Sequence, residues 1–215
     1  MRILEVTISP ISINFKRSEV MLLRPHNIVV ISMLSVCASS AWADAIDINL
    51  RDTSAQIQYK SSLGRDALGK TEFHLGLLYV DKNNLLSDFG VVVKDDVGSK
   101  VPGLSIGVGI KGLVAKVRGG NPVNSNASAL ALGALVRYSP SPIPRMGIVG
   151  EVYLSPNIVT FGDANRYSEI VTRVEYEVIP SSTVYAGYRR VSFGLTTQPD
   201  AILDKGLYAG VKISF

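Results

Sequence analysis

Residues 205–215 read KGLYAGVKISF. Leu207, Ala209, Val211, Ile213 and Phe215 alternate with Tyr208, Gly210, Lys212 and Ser214. Alternation with period two marks a strand with one apolar and one polar face. The last residues of a soluble domain ordinarily fray. Here they carry a clean strand pattern closed by an aromatic residue, and a fold for this chain must give that segment a place.

The same period recurs upstream. Ile46, Ile48 and Leu50 oppose Asp47 and Asn49, and Ala55, Ile57 and Tyr59 oppose Gln56, Gln58 and Lys60. Further runs are centred on Leu75, Val91, Val108, Ala134, Val152, Val174 and Ala186. Between them lie turn-forming clusters such as DKNN, RGGNPVNSN, SPSPIPR, SPNIVTFGDANR, IPSS and GLTTQPDAILDK, rich in the residues whose backbone freedom or short polar side chains favour turns. NPVNSNAS, with its Asn126-Ala127-Ser128 triplet, reads as loop. No segment after residue 43 shows a long 3.6-residue period or about 20 consecutive apolar residues, so no helix across a membrane is predicted. Ten strands in antiparallel hairpin order are expected, with the first hairpin turning at Asp52-Thr53. Fusing its two arms would give nine, and eight remain if a weak segment does not pair.

Apolar residues make up 47% of the chain and charged residues 19%, which excludes a disordered chain. The net charge of +4 does not argue for nucleic acid. Arg2, Lys16, Arg17 and Arg24 outnumber Glu5 and Glu19 in residues 1–43, and without that segment the excess falls to about +2 with no basic cluster. The segment has the parts of a secretory signal: Arg24, the short apolar run Ile28–Val36, and Ala41-Trp42-Ala43 before Asp44. Cleavage is expected after Ala43, with Met21 an alternative start. Cys37, the single cysteine, would leave with the signal, so no disulfide is expected.

Ten alternating strands fit a soluble sandwich or barrel, and equally an antiparallel up-and-down transmembrane β-barrel of residues 44–215. Three features favour the membrane. Gly76, Gly107, Gly109, Gly133, Gly187 and Gly210 lie on the non-apolar face, where a narrow lumen needs small residues. Tyr59, Tyr79, Tyr138, Tyr153, Tyr167, Tyr185 and Phe215 fall near strand ends, as interfacial girdles do. Val211, Ile213 and Phe215 resemble the C-terminal signature through which the barrel-assembly machinery reads bacterial outer-membrane barrels. Counting back from Phe215, long connections fall outside the cell and short ones in the periplasm, most clearly in the C-terminal half.

GEVYLSPN (Gly150–Asn157), VYAGYRRVSF (Val184–Phe193) and GLYAGVKISF (Gly206–Phe215) resemble the YfaZ family of proteobacterial outer-membrane proteins, in the same order over most of the mature chain. The resemblance implies a signal peptide and an outer-membrane barrel. It carries over no catalytic residues, because the family's biochemical role is undefined. The chain departs from the pattern at Arg190, where an aromatic would be expected to face lipid.

The polar face carries titratable side chains. His74 is the one histidine beyond residue 43, which rules out an ordinary multi-histidine metal site, and it reads as a lumen or rim residue. Lys111, Arg137, Glu151, Arg173, Glu175, Glu177, Arg189 and Lys212 share the polar face. They are expected to pair as a lumenal charge network, since a charge away from water needs a partner. The expectation is a monomeric, non-enzymatic outer-membrane barrel without cofactor, contacting outer-membrane lipid, reached by Sec-dependent export, with a structural or envelope role. The alternatives are a narrow porin-like channel, a lipid-modifying barrel enzyme, and a soluble periplasmic barrel.

Overall fold

The computed structural model describes residues 44–66, 69–81, 84–97, 101–118, 124–143, 145–195 and 200–215. Ala41, Ala43 and the rest of the expected signal lie outside these. Eleven strands follow in chain order: β1 (Asp44–Leu50), β2 (Ser54–Asp66), β3 (Gly69–Val80), β4 (Asn84–Asp96), β5 (Leu104–Arg118), β6 (Asn124–Tyr138), β7 (Met146–Ser155), β8 (Thr160–Gly162), β9 (Ala164–Ile179), β10 (Ser182–Leu195) and β11 (Ala201–Ser214).

Each long strand pairs antiparallel with the next, and β7 pairs with β9. Pairing of β1 with β11 at one point and of β5 with β6 at another closes the sheet. The result is an up-and-down barrel of ten strands. The three-residue β8 adds to the edge of β6 beyond the end of β7. Closure matters because a spanning sheet in lipid can leave no backbone group unpaired. The first hairpin turns after Leu50 as expected, with Leu50 opposite Ala55 and the Arg51 N–H donating to the Ser54 carbonyl at 2.8 Å.

The termini share one end of the barrel. Asp44 and Phe215 exchange backbone hydrogen bonds of 3.1 and 2.9 Å, so the final residue of KGLYAGVKISF closes the ring. This end is called the terminal end below, and the opposite end the far end.

The alternation places apolar residues outside. Val108 is 68% exposed, Leu132 62% and Leu207 78%, while Asp47 is 0%, Glu175 1% and Arg189 2% exposed. A water-soluble protein buries the first kind and solvates the second. An apolar belt of this extent is stable only against lipid. Val211, Ile213 and Phe215 belong to this belt, and Arg190 is exposed on the same side.

Three expectations are corrected. Tyr153, Tyr167 and Tyr185 are buried inside the barrel rather than in an outer girdle, because each falls on the inward phase of its strand. Tyr59, Tyr79 and Tyr138 do lie on the outward phase. Residues 126–128, read as loop, lie within β6, and Ala201–Lys205, read as part of a long connection, lie within β11. In both places hydrogen-bonding to a neighbouring strand overrides turn-prone composition. Inward glycines make room for two of those tyrosines. Gly133 sits opposite Tyr153 and Gly210 opposite Tyr185. A Cβ on either glycine would enter the facing ring.

Candidate functional site in the barrel interior

Several strands carry the same order of chemistry from the far end to the terminal end. On β5, Val117, Ala115 and Leu113 precede Lys111. On β10, Phe193 and Val191 precede Arg189, and on β9, Ala164 and Tyr167 precede Glu169, Arg173 and Glu175. Stacked around the ring, these positions form three layers.

The far layer is apolar. Leu78, Leu86, Leu113, Ala129, Val191 and Phe193 belong to one buried cluster that fills the lumen. Tyr167 packs on Phe193 with ring centroids 4.9 Å apart. Period-two alternation alone does not reveal this plug. Its signal is a lapse of alternation at strand ends, where Leu77, Leu78, Tyr79 and Val80, or Leu113, Val114 and Ala115, are apolar on both faces.

The middle layer is a polar seal. The Arg189 guanidinium donates to Asp204 Oδ2 at 2.6 Å, to Asn49 Oδ1 at 3.0 Å and to Gln56 Oε1. Asp204 Oδ1 also accepts from Arg51 at 2.6 Å and from the Ser54 hydroxyl at 3.2 Å. Beside it, Lys111 Nζ donates to Glu169 Oε2 at 2.6 Å, and the Tyr167 hydroxyl donates to the same oxygen at 2.9 Å. Lys111 Nζ also stands 4.1 Å from the centroid of the Tyr153 ring. Buried charges are tolerable when the geometry is tight and the remaining donors and acceptors are met, and the Arg189 cluster, with Asp204, Asn49 and Gln56 as acceptors, meets both conditions. His74 belongs at its edge, with Nε2 3.4 Å from Asp88 Oδ1 and both residues buried.

The terminal layer is charged and open. Arg173 lies 2.8 Å from Glu175, 3.7 Å from Glu151 and 3.7 Å from Asp47. Arg137 reaches Glu175 at 2.5 Å, and Asp47 also takes Lys60 at 3.1 Å and the Tyr185 hydroxyl. Glu72 is clamped by Lys94 at 2.6 Å and Lys70 at 3.2 Å. Inside this layer is a cavity of about 350 Å³ that reaches the mouth, where Asp44 and Ser214 line it. A second gap of about 20 Å³ lies against Arg189 and Glu169 and shares Lys111, Glu151 and Arg173 with the first.

All eight residues named from the sequence point inward, but they do not form one cluster. The structure brings Arg137, Glu151, Arg173 and Glu175 together. Lys111 and Arg189 pair instead with Glu169 and Asp204, which the sequence reading did not single out. Asp47, already visible in the β1 alternation, is the other missed partner. Asp204 was hidden in a stretch read as loop. Lys212 lines the cavity without an ion pair among the described residues, and Glu177 lies at the terminal end, its backbone N–H bonded to the Arg145 carbonyl at 2.9 Å. Among the described residues no three His, Cys, Asp or Glu side chains converge to hold a metal.

The model of the YfaZ precursor family matches residues 26–215. The chain belongs to that family. The match spans all ten barrel strands and continues upstream of Asp44. The fold is that of an outer-membrane β-barrel. Similar solved structures include the KdgM porin, at 11% identity and a TM-score of 0.42 over 80% of this chain and 99% of that one. The outer-membrane channel DcaP of Acinetobacter baumannii is similar at 10% identity and a TM-score of 0.41, over 80% of this chain and 62% of that one. Among curated proteins no relative matches.

Proposed function

We propose that this YfaZ-family chain is a closed, monomeric barrel of the bacterial outer membrane that supports the envelope rather than passing solutes or catalysing a reaction. It is exported by the Sec route, cut before Asp44 and inserted by the barrel-assembly machinery reading Val211, Ile213 and Phe215. Outer-membrane lipid covers the apolar belt. The terminal end then faces the periplasm.

One observation carries the reading: the far half of the lumen is filled by the apolar cluster around Leu113, Val191 and Phe193, with the Arg189 seal beneath it. Wide aqueous channels belong to barrels of about sixteen or more strands, whereas small ones are filled by their own side chains. The test is conductance of the purified, refolded protein in a planar bilayer. A silent membrane is expected. Reproducible open steps would overturn the closed-barrel reading in favour of a channel.

A further inference from the structure

The cavity at the terminal end has an unequal lining. Seven Lys or Arg side chains face it, against three carboxylates, Asp44, Glu72 and Glu151. The acids that neutralise the remaining cations stand behind the wall. Asp47 and Glu175 are fully buried, and Glu169 nearly so, none of them lining the space. The surface offered to an entering molecule is therefore cationic, although the layer as a whole is close to neutral.

Donor capacity points the same way. A lysine ammonium carries three N–H donors and a guanidinium five. Lys60 and Lys94 each spend one on a carboxylate, and Arg137 spends one on Glu175. Lys212, on β11 at the mouth, makes no ion pair among the described residues. Cations arranged this way, with donors left over and acids held at their backs, suit the several oxygens of an anion. The volume of about 350 Å³ lies at the small end of ligand pockets.

We propose that this cavity is a binding site for a small polyanion carrying phosphate or carboxylate groups, which enters and leaves by the terminal end. The inference rests on the closed-barrel reading, since the seal at Arg189 makes the cavity a dead end. Lys212, Arg137 and Lys94 supply the free donors. Tyr153, Val92 and Val149 give the wall its apolar part.

The test is titration calorimetry on the refolded barrel in neutral detergent, with pyrophosphate, citrate and an uncharged disaccharide as probes. Saturable binding of pyrophosphate or citrate is expected, weakening as salt screens the charges, with none for the disaccharide. The tighter of the two anions assigns phosphate or carboxylate as the preferred group. Lys212→Gln removes a cation that makes no ion pair among the described residues, so the barrel should fold with unchanged gel mobility while the dissociation constant rises by about tenfold, as loss of one charge-assisted contact predicts. Lys205→Gln, on the outer face, controls for general attraction and should bind like the wild type. No saturable binding of either anion would overturn the site, as would Lys212→Gln binding like wild type or Lys205→Gln weakening as much. The readout needs no membrane. Conductance with anion binding intact would overturn the closed barrel alone, and silence without binding would overturn the site alone.

Discussion

Arg189 on β10 donates to Asn49 on β1 at 3.0 Å, reaching past β11, the strand between them. The contact spans the place where the two ends of the sheet meet. The same guanidinium holds Asp204 on β11 and Gln56 on β2, so one side chain ties four neighbouring strands at the closing seam.

Removing it should loosen the closure. Arg189→Ala leaves Asp204 buried with Arg51 as its remaining cation, and breaking a buried pair costs about 3–5 kcal/mol. The folded, fast-migrating band on unboiled gels should be lost at a lower temperature than in the wild type. An unchanged melting temperature would show that the seam does not depend on this residue. Arg189→Lys should recover part of the loss, since a point charge cannot serve three acceptors in a plane.

Glu175→Ala tests the terminal layer in the same assay. It strips Arg137 and Arg173 of their shortest partner and should lower heat resistance. Combining it with Arg189→Ala should give nearly additive losses, because the two residues share no partner. Strong coupling between them would mean one network where the structure shows two.

Gly133→Val should interfere with assembly. Its side chain would enter the Tyr153 ring, and overpacking of a filled interior costs about 1–3 kcal/mol. Pairing it with Tyr153→Ala should restore part of the folded yield. Equal yields for Gly133→Val and wild type would show that the ring can move aside.

The plug makes its own prediction. Phe193→Ala should lower stability by about 3–5 kcal/mol, as for other large buried aromatics. Combining it with Leu113→Ser and Val191→Ser should wet the far layer and raise bilayer conductance from silence to small steps. A triple variant that folds yet stays silent would place the barrier in the Arg189 layer.

Deleting Phe215 removes an exposed ring and the backbone pair with Asp44. The fraction of protein reaching the folded form in the outer membrane should fall, while refolding in detergent changes less. Normal membrane assembly would leave the terminal aromatic without a role in recognition.

About ten strands, their hairpin order and the division of each into an apolar and a polar face were legible because the side-chain period of a strand is two. That Leu207, Val211 and Ile213 share one face and Lys212 lies on the other could be read from KGLYAGVKISF alone. The interior partners could not. Alternation says that Lys111 and Arg189 share the polar face. It does not say how far along the axis each lies, and that height decides whether Glu169 or Glu151 is in reach. Tyr153, Tyr167 and Tyr185 were misplaced for a related reason: a tyrosine near a strand end suits an interface or a lumen, and the residue opposite it (Gly133 for Tyr153, Gly210 for Tyr185, Phe193 for Tyr167) settles which.

The sequence by itself determined a run of antiparallel strands, each with one apolar and one polar face, and its glycines, signal segment and terminal aromatic favoured lipid over water as the apolar face's neighbour. Only the tertiary structure decided that the lumen is divided into an apolar plug, an arginine seal and a cationic cavity. Those layers arise from the register between strands distant in the chain, where Arg189 meets Asn49 and Lys111 meets Glu169. Register is a property of the closed ring and is written in no single strand.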